Sequence, residues 1–159
     1  MKIEIIAIGK IKESYLREGI AEFVKRLRPY ASLTVTECLE ERMPEQPSDA
    51  EKEQVLVKEG EKLLAQVKGK PFVVVLDLKG EKMSSERLAE FFAQKALAGQ
   101  GRIAFLIGGA YGLAEDVRRQ ADMLLSFSDF TFTHQMVRLL LVEQLYRSFK
   151  ILSREKYHN

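Results

Sequence analysis

Apolar and polar positions along the chain follow two rhythms that take turns. Lys2–Ile8 alternates and then turns solidly apolar before Gly9, which predicts a sheet strand. From Ser14 to Leu27 the spacing is helical, with Tyr15, Ile20, Phe23, Val24 and Leu27 on one stripe that Pro29 ends. Leu33–Leu39, rich in Val and Thr, predicts a second strand. After a loop holding Pro44 and Pro47, Ser48 and Glu51 have the spacing of a capping box, and the helix they open runs to about Val67. Phe72–Leu76 and Arg102–Ile107 are unbroken apolar runs of the kind buried on both faces of a parallel sheet. Between them a helix capped by Ser84 or Ser85 reaches Leu97. A short helix over Leu113–Ala121, a brief strand at Met123–Ser126 and a long helix over Gln135–Lys150 complete the order.

Strands alternating with helices predict an α/β fold, a mainly parallel sheet flanked by helices in a single domain over 1–159. Ligands of such sheets bind in the crevice beyond the carboxyl ends of the strands, which draws attention to Leu76-Asp77, Gly108-Gly109 and Ser126-Phe127-Ser128. Gly108-Gly109-Ala110-Tyr111-Gly112 lies between a buried strand and a helix, the place for a nucleotide-type ligand. Its glycine spacing is not that of the dinucleotide fingerprint, and no Gly-Lys is followed by Ser or Thr, so no Walker A loop is present. We read it as a ligand loop, with a plain tight turn as the alternative. In Ser126–His134, hydroxyl groups and phenylalanines interleave just before the last helix. That stretch suits an adenine edge and ring, or equally an exposed loop with Thr133 as a cap.

The last helix is apolar around most of its circumference, with Met136, Val137, Leu139, Leu140, Leu141, Val142, Leu145, Tyr146 and Phe149. Such a helix is buried on several sides, either centrally or between subunits, and in a domain this small we expect a homodimer. Glu143, Arg147 and Lys150 form one polar edge at helical spacing, as an ordinary ion pair or as functional groups.

Composition adds exclusions. The chain has 159 residues, 46% hydrophobic and 30% charged, ordinary values for a globular protein. No apolar stretch approaches a membrane span and nothing reads as a signal peptide, so a cytoplasmic protein is expected. One cysteine, Cys38, leaves no internal disulfide and reads as a small strand residue. Two histidines without a carboxylate cluster make a metal site unexpected. The net charge of +2 is weak evidence for a nucleic-acid partner. Its distribution is more informative: residues 1–30 and 137–159 each carry +3, and the middle carries −4. Two basic ends form a phosphate-facing stripe or simply solvated helix faces.

Taken together, Ile3–Lys10 with its basic helix, Lys58-Glu59-Gly60, Ile107–Leu113, Leu125–Ser128, His134-Gln135, Val137-Arg138-Leu139, Glu143–Arg147 and Tyr157-His158 resemble the pseudouridine N3-methyltransferases of 23S ribosomal RNA, over the whole chain. These belong to the knotted SPOUT class. The chain departs from the family pattern at Thr133, where a proline usually precedes the histidine.

The resemblance implies a SPOUT (alpha/beta-knot) fold with a C-terminal trefoil knot, and S-adenosyl-L-methionine as cofactor. The donor would be contacted by Leu76, by Gly108, Gly109 and Gly112, and by Phe127, Ser128, Asp129, Phe130, Thr131 and Phe132. In the tail, His158 is expected to orient the base or accept its proton, Tyr157 to stack or hydrogen-bond, and Arg154 to hold a phosphate. The implied partners are a second copy of the chain and 23S rRNA within the ribosome or its large subunit, touched by Lys10, Lys12, Arg17, Lys25 and Arg26. Another rRNA or tRNA nucleotide as substrate, a ribosome-associated RNA-binding protein without catalysis, and a nucleotide-binding regulator are the competing classes.

Overall fold

The computed structural model describes residues 1–157. Five strands and five helices alternate: β1 (Lys2–Ile8), α1 (Ser14–Leu27), β2 (Ser32–Cys38), α2 (Asp49–Gln66), β3 (Phe72–Lys82), α3 (Ser85–Leu97), β4 (Arg102–Ile107), α4 (Glu115–Arg119), β5 (Met123–Ser126) and α5 (His134–Leu152). The strands form one sheet in the order β2-β1-β4-β3-β5, and every pairing is parallel.

Strand side chains alternate between two cores, as period two requires. Ile3, Ile5 and Ala7 of β1, with Ile103, Phe105 and Ile107 of β4, face a layer built from Leu27 of α1, Leu88 and Phe92 of α3, and Leu141, Val142, Leu145 and Phe149 of α5. Ile6, Ile8, Val73, Val75 and Leu106 face the opposite layer, where Leu63 of α2 meets Leu113, Ala114 and Val117 at α4. The helix starts follow the chemistry read from the chain. Ser48 and Glu51 close a complete capping box, Ser84 accepts from the Arg87 N–H, and Thr133 accepts from the Met136 N–H at 3.1 Å. Each satisfies a backbone donor that a helix start leaves open.

Two differences from the expected elements have local causes. The third strand does not end at Leu76. Leu76 and Glu81 both pair with Leu125, so the intervening residues bulge out and β3 resumes as far as Lys82. Asp77 accepts from the Lys79 N–H within this bulge, and Gly80 lies so close to β5 that a Cβ would sit 2.6 Å from the Leu125 backbone. The fourth helix is shorter than its apolar pattern because Leu113 and Ala114 are already buried in the preceding turn. The last helix lies between α1 and α3 against the sheet. Leu141, Val142, Leu145 and Phe149 are buried by this chain's own elements, whereas Met136, Val137, Leu139, Leu140 and Tyr146 are half-buried.

Candidate functional site

Because β4, β3 and β5 are neighbours in the sheet, their register brings Gly108, Leu76 at the start of the β3 bulge, and Ser126 to one edge. The sheet order thus unites the three places that the alternating pattern marked. Their side chains do not all share one cleft.

After β4 the chain turns at once. Gly109 and Gly112 form an isolated antiparallel bridge, with the Gly112 N–H donating to the Gly109 carbonyl at 3.2 Å. A Cβ on Gly108 would meet Leu113 at 2.8 Å, and one on Gly109 would meet Glu59 at 2.9 Å and Ile8 at 3.0 Å. Gly112 has φ +96°, a conformation that side chains disfavour. Each of these three glycines therefore answers a packing or backbone demand, while Tyr111 projects into solvent. The partner behind the turn is Glu59 of α2, only 5% exposed. Its Oε1 accepts from the Glu41 N–H at 3.0 Å, and Oε2, facing Gly109, has no hydrogen-bond partner. Burial pushes this carboxyl above its ordinary range, because the charged form loses water.

After β5 the chain opens out. The Ser126 hydroxyl donates to the Ser128 carbonyl at 3.1 Å, and the Phe130 N–H donates to the Ser128 hydroxyl at 2.9 Å. Asp129 pairs with Lys82 of the bulged strand. Thr131 is exposed, and Phe130 is 77% exposed and Phe132 38%. Beside this loop lies a cleft of about 340 Å³, walled by Met83, Ser84 and Ser85 at the start of α3, by Phe127, Ser128 and Phe132, and by Leu140 and Gln144 of α5. Apolar walls with a few placed hydroxyls are the usual make-up of a small-molecule site. Leu76 packs at the edge of the core beneath Leu125, on the same face of the sheet as Phe127. Gly108, Gly109 and Gly112 do not line this cleft; they border the crevice from the α2–α4 side.

The tail lies against α5. Tyr157 packs edge-on against Tyr146, with centroids 4.7 Å apart, its hydroxyl 3.3 Å from Glu143 Oε1 and the Arg147 guanidinium 4.9 Å from its ring. Burial, and then the Glu143 charge, push the Tyr157 hydroxyl up, so it stays protonated and donates. The Glu143–Arg147 ion pair at i,i+4 is formed. Arg154 is exposed with φ +54°, and Glu155 accepts from Tyr30 at 3.0 Å and pairs with Lys150. His158 lies outside the described residues.

A second buried polar group escaped the sequence reading. Arg138 is 1% exposed, donating to Glu37 at 3.0 Å and to the Ile8 carbonyl at 2.5 Å. The sequence held a signal for it, since Arg138 precedes Leu141, Val142, Leu145 and Phe149 at i+3, i+4, i+7 and i+11, on the stripe that must face the core. His134 stands beside it, 3.6 Å from Glu40. Burial and the Arg138 charge push the imidazole below its usual range, which favours its neutral form. Burial raises the Cys38 thiol, which disfavours its thiolate. Among the described residues no group of three or more His, Cys, Asp or Glu is placed to hold a metal, and no helix is long and apolar enough to cross a membrane.

A five-stranded parallel sheet with glycine and aromatic loops at its carboxyl edge is a frame on which α/β proteins place ligand sites. The chain belongs to the SPOUT methyltransferases: the family described as "Predicted SPOUT methyltransferase" matches residues 1–158, and the protein is accordingly a methyltransferase. It is 52% identical over 158 residues to the "Ribosomal RNA large subunit methyltransferase H" of Carboxydothermus hydrogenoformans, and likewise to that of Halothermothrix orenii, covering 99% of both chains in each case. The protein of the same name from Alkaliphilus oremlandii is 48% identical over the same span. Among solved structures, a probable methylase family protein from Haemophilus influenzae matches with TM-score 0.53 at 18% identity, over 99% of this chain and 70% of that one. A probable methyltransferase from Bordetella pertussis matches with TM-score 0.53 at 11% identity, over 92% and 95%. These two share the fold.

Proposed function

We propose that the protein transfers a methyl group from S-adenosylmethionine to N3 of a pseudouridine in 23S ribosomal RNA, presented on the assembled ribosome or its large subunit. The observation that carries the reading is full-length similarity, at about half identity, to proteins named as large-subunit rRNA methyltransferases. The crevice suits that donor. Phe127 and Phe132 offer faces for a planar base and for a sulfonium cation, and Ser126 and Ser128 offer hydroxyls for its polar edge. Leu76 would support the base from below, and the Gly108–Gly112 turn would bring backbone close from the other side, with Asp129, Phe130 and Thr131 forming the lip. When bound, S-adenosylmethionine supplies an electrophilic methyl group.

The chain's own work is to position the acceptor and manage one proton. N3 of the base carries a proton that leaves as the new bond forms. His158 orients the base or takes that proton, and the Tyr157 hydroxyl or ring steadies it. Arg154 holds a phosphate, helped by Lys10, Lys12, Arg17, Lys25 and Arg26. A homodimer, in which one copy supplies the donor crevice and its partner supplies basic residues, would give a small chain enough surface for the particle. A trefoil knot around the crevice and action in the cytoplasm belong to the same reading.

Labelled methyl transfer tests it. Incorporation into ribosomal particles that carry pseudouridine, and not into particles lacking it or into free tRNA, is expected. Deleting residues 157–159 should abolish turnover and leave donor binding intact. Incorporation into tRNA alone, or full activity without the tail, would overturn the substrate and the mechanism respectively.

A further inference from the structure

Ser85 and Gln144 stand on the wall of the cleft, and Tyr157 stands in the tail. A continuous run of side-chain hydrogen bonds joins them. The Ser85 hydroxyl donates to Gln144 Oε1 at 2.6 Å, Gln144 Nε2 donates to Glu143 Oε2 at 2.7 Å, and the Tyr157 hydroxyl donates to Glu143 Oε1 at 3.3 Å. Arg147 holds that same oxygen from the other side, with Nε at 2.9 Å.

The direction of the run is fixed by chemistry. A carboxylate only accepts, so the Gln144 amide must turn its nitrogen to Glu143 and its oxygen to Ser85. The hydroxyl of Ser85 must then spend its single proton on Gln144, leaving its lone pairs for whatever occupies the cleft. Glu143 in turn presents one oxygen to Gln144 and the other to Tyr157 and Arg147. None of these groups can rotate without breaking a bond further along.

We propose that Gln144 is a positioning residue that couples the donor cleft to the C-terminal tail. It sets the plane of the Glu143 carboxylate, and that carboxylate seats Tyr157 against α5. A ligand that donates to the Ser85 hydroxyl, or displaces its bond to Gln144, changes the hold on Gln144, and so changes how firmly the tail is seated. The order of events follows: the cleft fills first, and the tail responds before the base is engaged. This inference rests on the reading of the cleft as the donor site.

Amide hydrogen exchange of residues 153–157, with and without saturating S-adenosylhomocysteine, tests it in the wild type, Gln144→Met and Ser85→Ala. Methionine keeps the length and packing of glutamine and removes both hydrogen bonds; Ser85→Ala cuts the run at its other end and leaves the Ser84 cap of α3 in place. In the wild type the ligand should change tail exchange by about threefold or more, a shift readily resolved for a locally opening segment. In both variants the ligand should still protect the Phe127–Phe132 loop while the tail no longer responds. The Gln144→Met enzyme should lose about tenfold in kcat with little change in the KM for the donor, the pattern of a lost transition-state arrangement rather than lost binding. A tail response of wild-type size in both variants, or no tail response in the wild type despite loop protection, overturns the coupling alone. Absence of any loop protection in the wild type would overturn the donor cleft and the coupling with it.

Discussion

The turn after β4 and the loop after β5 meet at the same edge of the sheet, and they are built in opposite ways. The Gly108–Gly112 turn is closed. Leu113 and Glu59 fill the space where side chains would go, and its glycines are demanded by neighbours and by backbone angle. The Ser126–Thr133 loop is open, held by short serine bonds and one surface ion pair, with two phenylalanines facing solvent. A glycine cluster is thus by itself a weaker sign of ligand contact than it looks, because packing and backbone angle already require glycine at these positions, whether or not their backbone also meets a ligand. Aromatic rings left without a cover beside hydroxyls are the stronger sign, since only a ligand or partner would recover their burial.

Substitutions separate the two regions. Gly108→Ala should cost about 3 kcal/mol, because the new Cβ would overlap the Gly112 carbonyl oxygen and lie 2.8 Å from Leu113. That is a fall in Tm of about 6–12 °C for a chain of this size. An unchanged melting temperature would mean the turn is looser than its geometry. Phe132→Ala should do the reverse, leaving Tm nearly unmoved while weakening donor binding about tenfold, the worth of one stacked ring. Equal loss of stability and binding would erase the contrast.

A subtler difference lies in pH. Burial holds the Glu59 carboxyl above its usual range in the folded protein, so folding takes up a proton that the unfolded chain releases. The stability tied to its protonated form is complete below the unfolded value and is lost as pH rises through the folded one. Glu59→Gln should therefore raise Tm relative to the wild type more at pH 8 than at pH 4. The opposite ordering would show that the carboxylate is paired and charged. The smallest effect is expected at the loop's end: Thr133→Ala removes the α5 cap at a cost of about 1 kcal/mol, checked by chemical denaturation.

Much of this frame is legible in the amino-acid pattern. Unbroken apolar runs marked β3 and β4 because strands covered on both faces have no polar side to show, and capping chemistry placed the start of α2 at Ser48, left that of α3 between Ser84 and Ser85, and offered Thr133 as one reading of the loop before α5; Ser48, Ser84 and Thr133 are the caps. The bulge after Leu76 was not legible, since it depends on Gly80 fitting against β5, a neighbour remote in sequence. Glu59 and Arg138 were hidden for a similar reason: a charge on a helix reads as solvent-facing until the opposing surface is known. Arg138 at least stood on the buried stripe of α5. Glu59 had no such sign beyond its neighbour Gly60, where a Cβ would sit 2.9 Å from Val117 and so keep α2 from packing as closely. The part played by α3 in walling the cleft was also out of reach, because it follows from sheet order rather than from any local pattern.

The most direct test of the central claim is an NMR titration of the wild-type protein with S-adenosylhomocysteine, following backbone amides. Shifts concentrated in Gly108–Gly112 and Phe127–Phe132, with smaller ones at Leu76 and Ser85, are the predicted result. Shifts confined to another region, such as the groove between α1 and β2 lined by Ile20, Val24 and Val35, would contradict it.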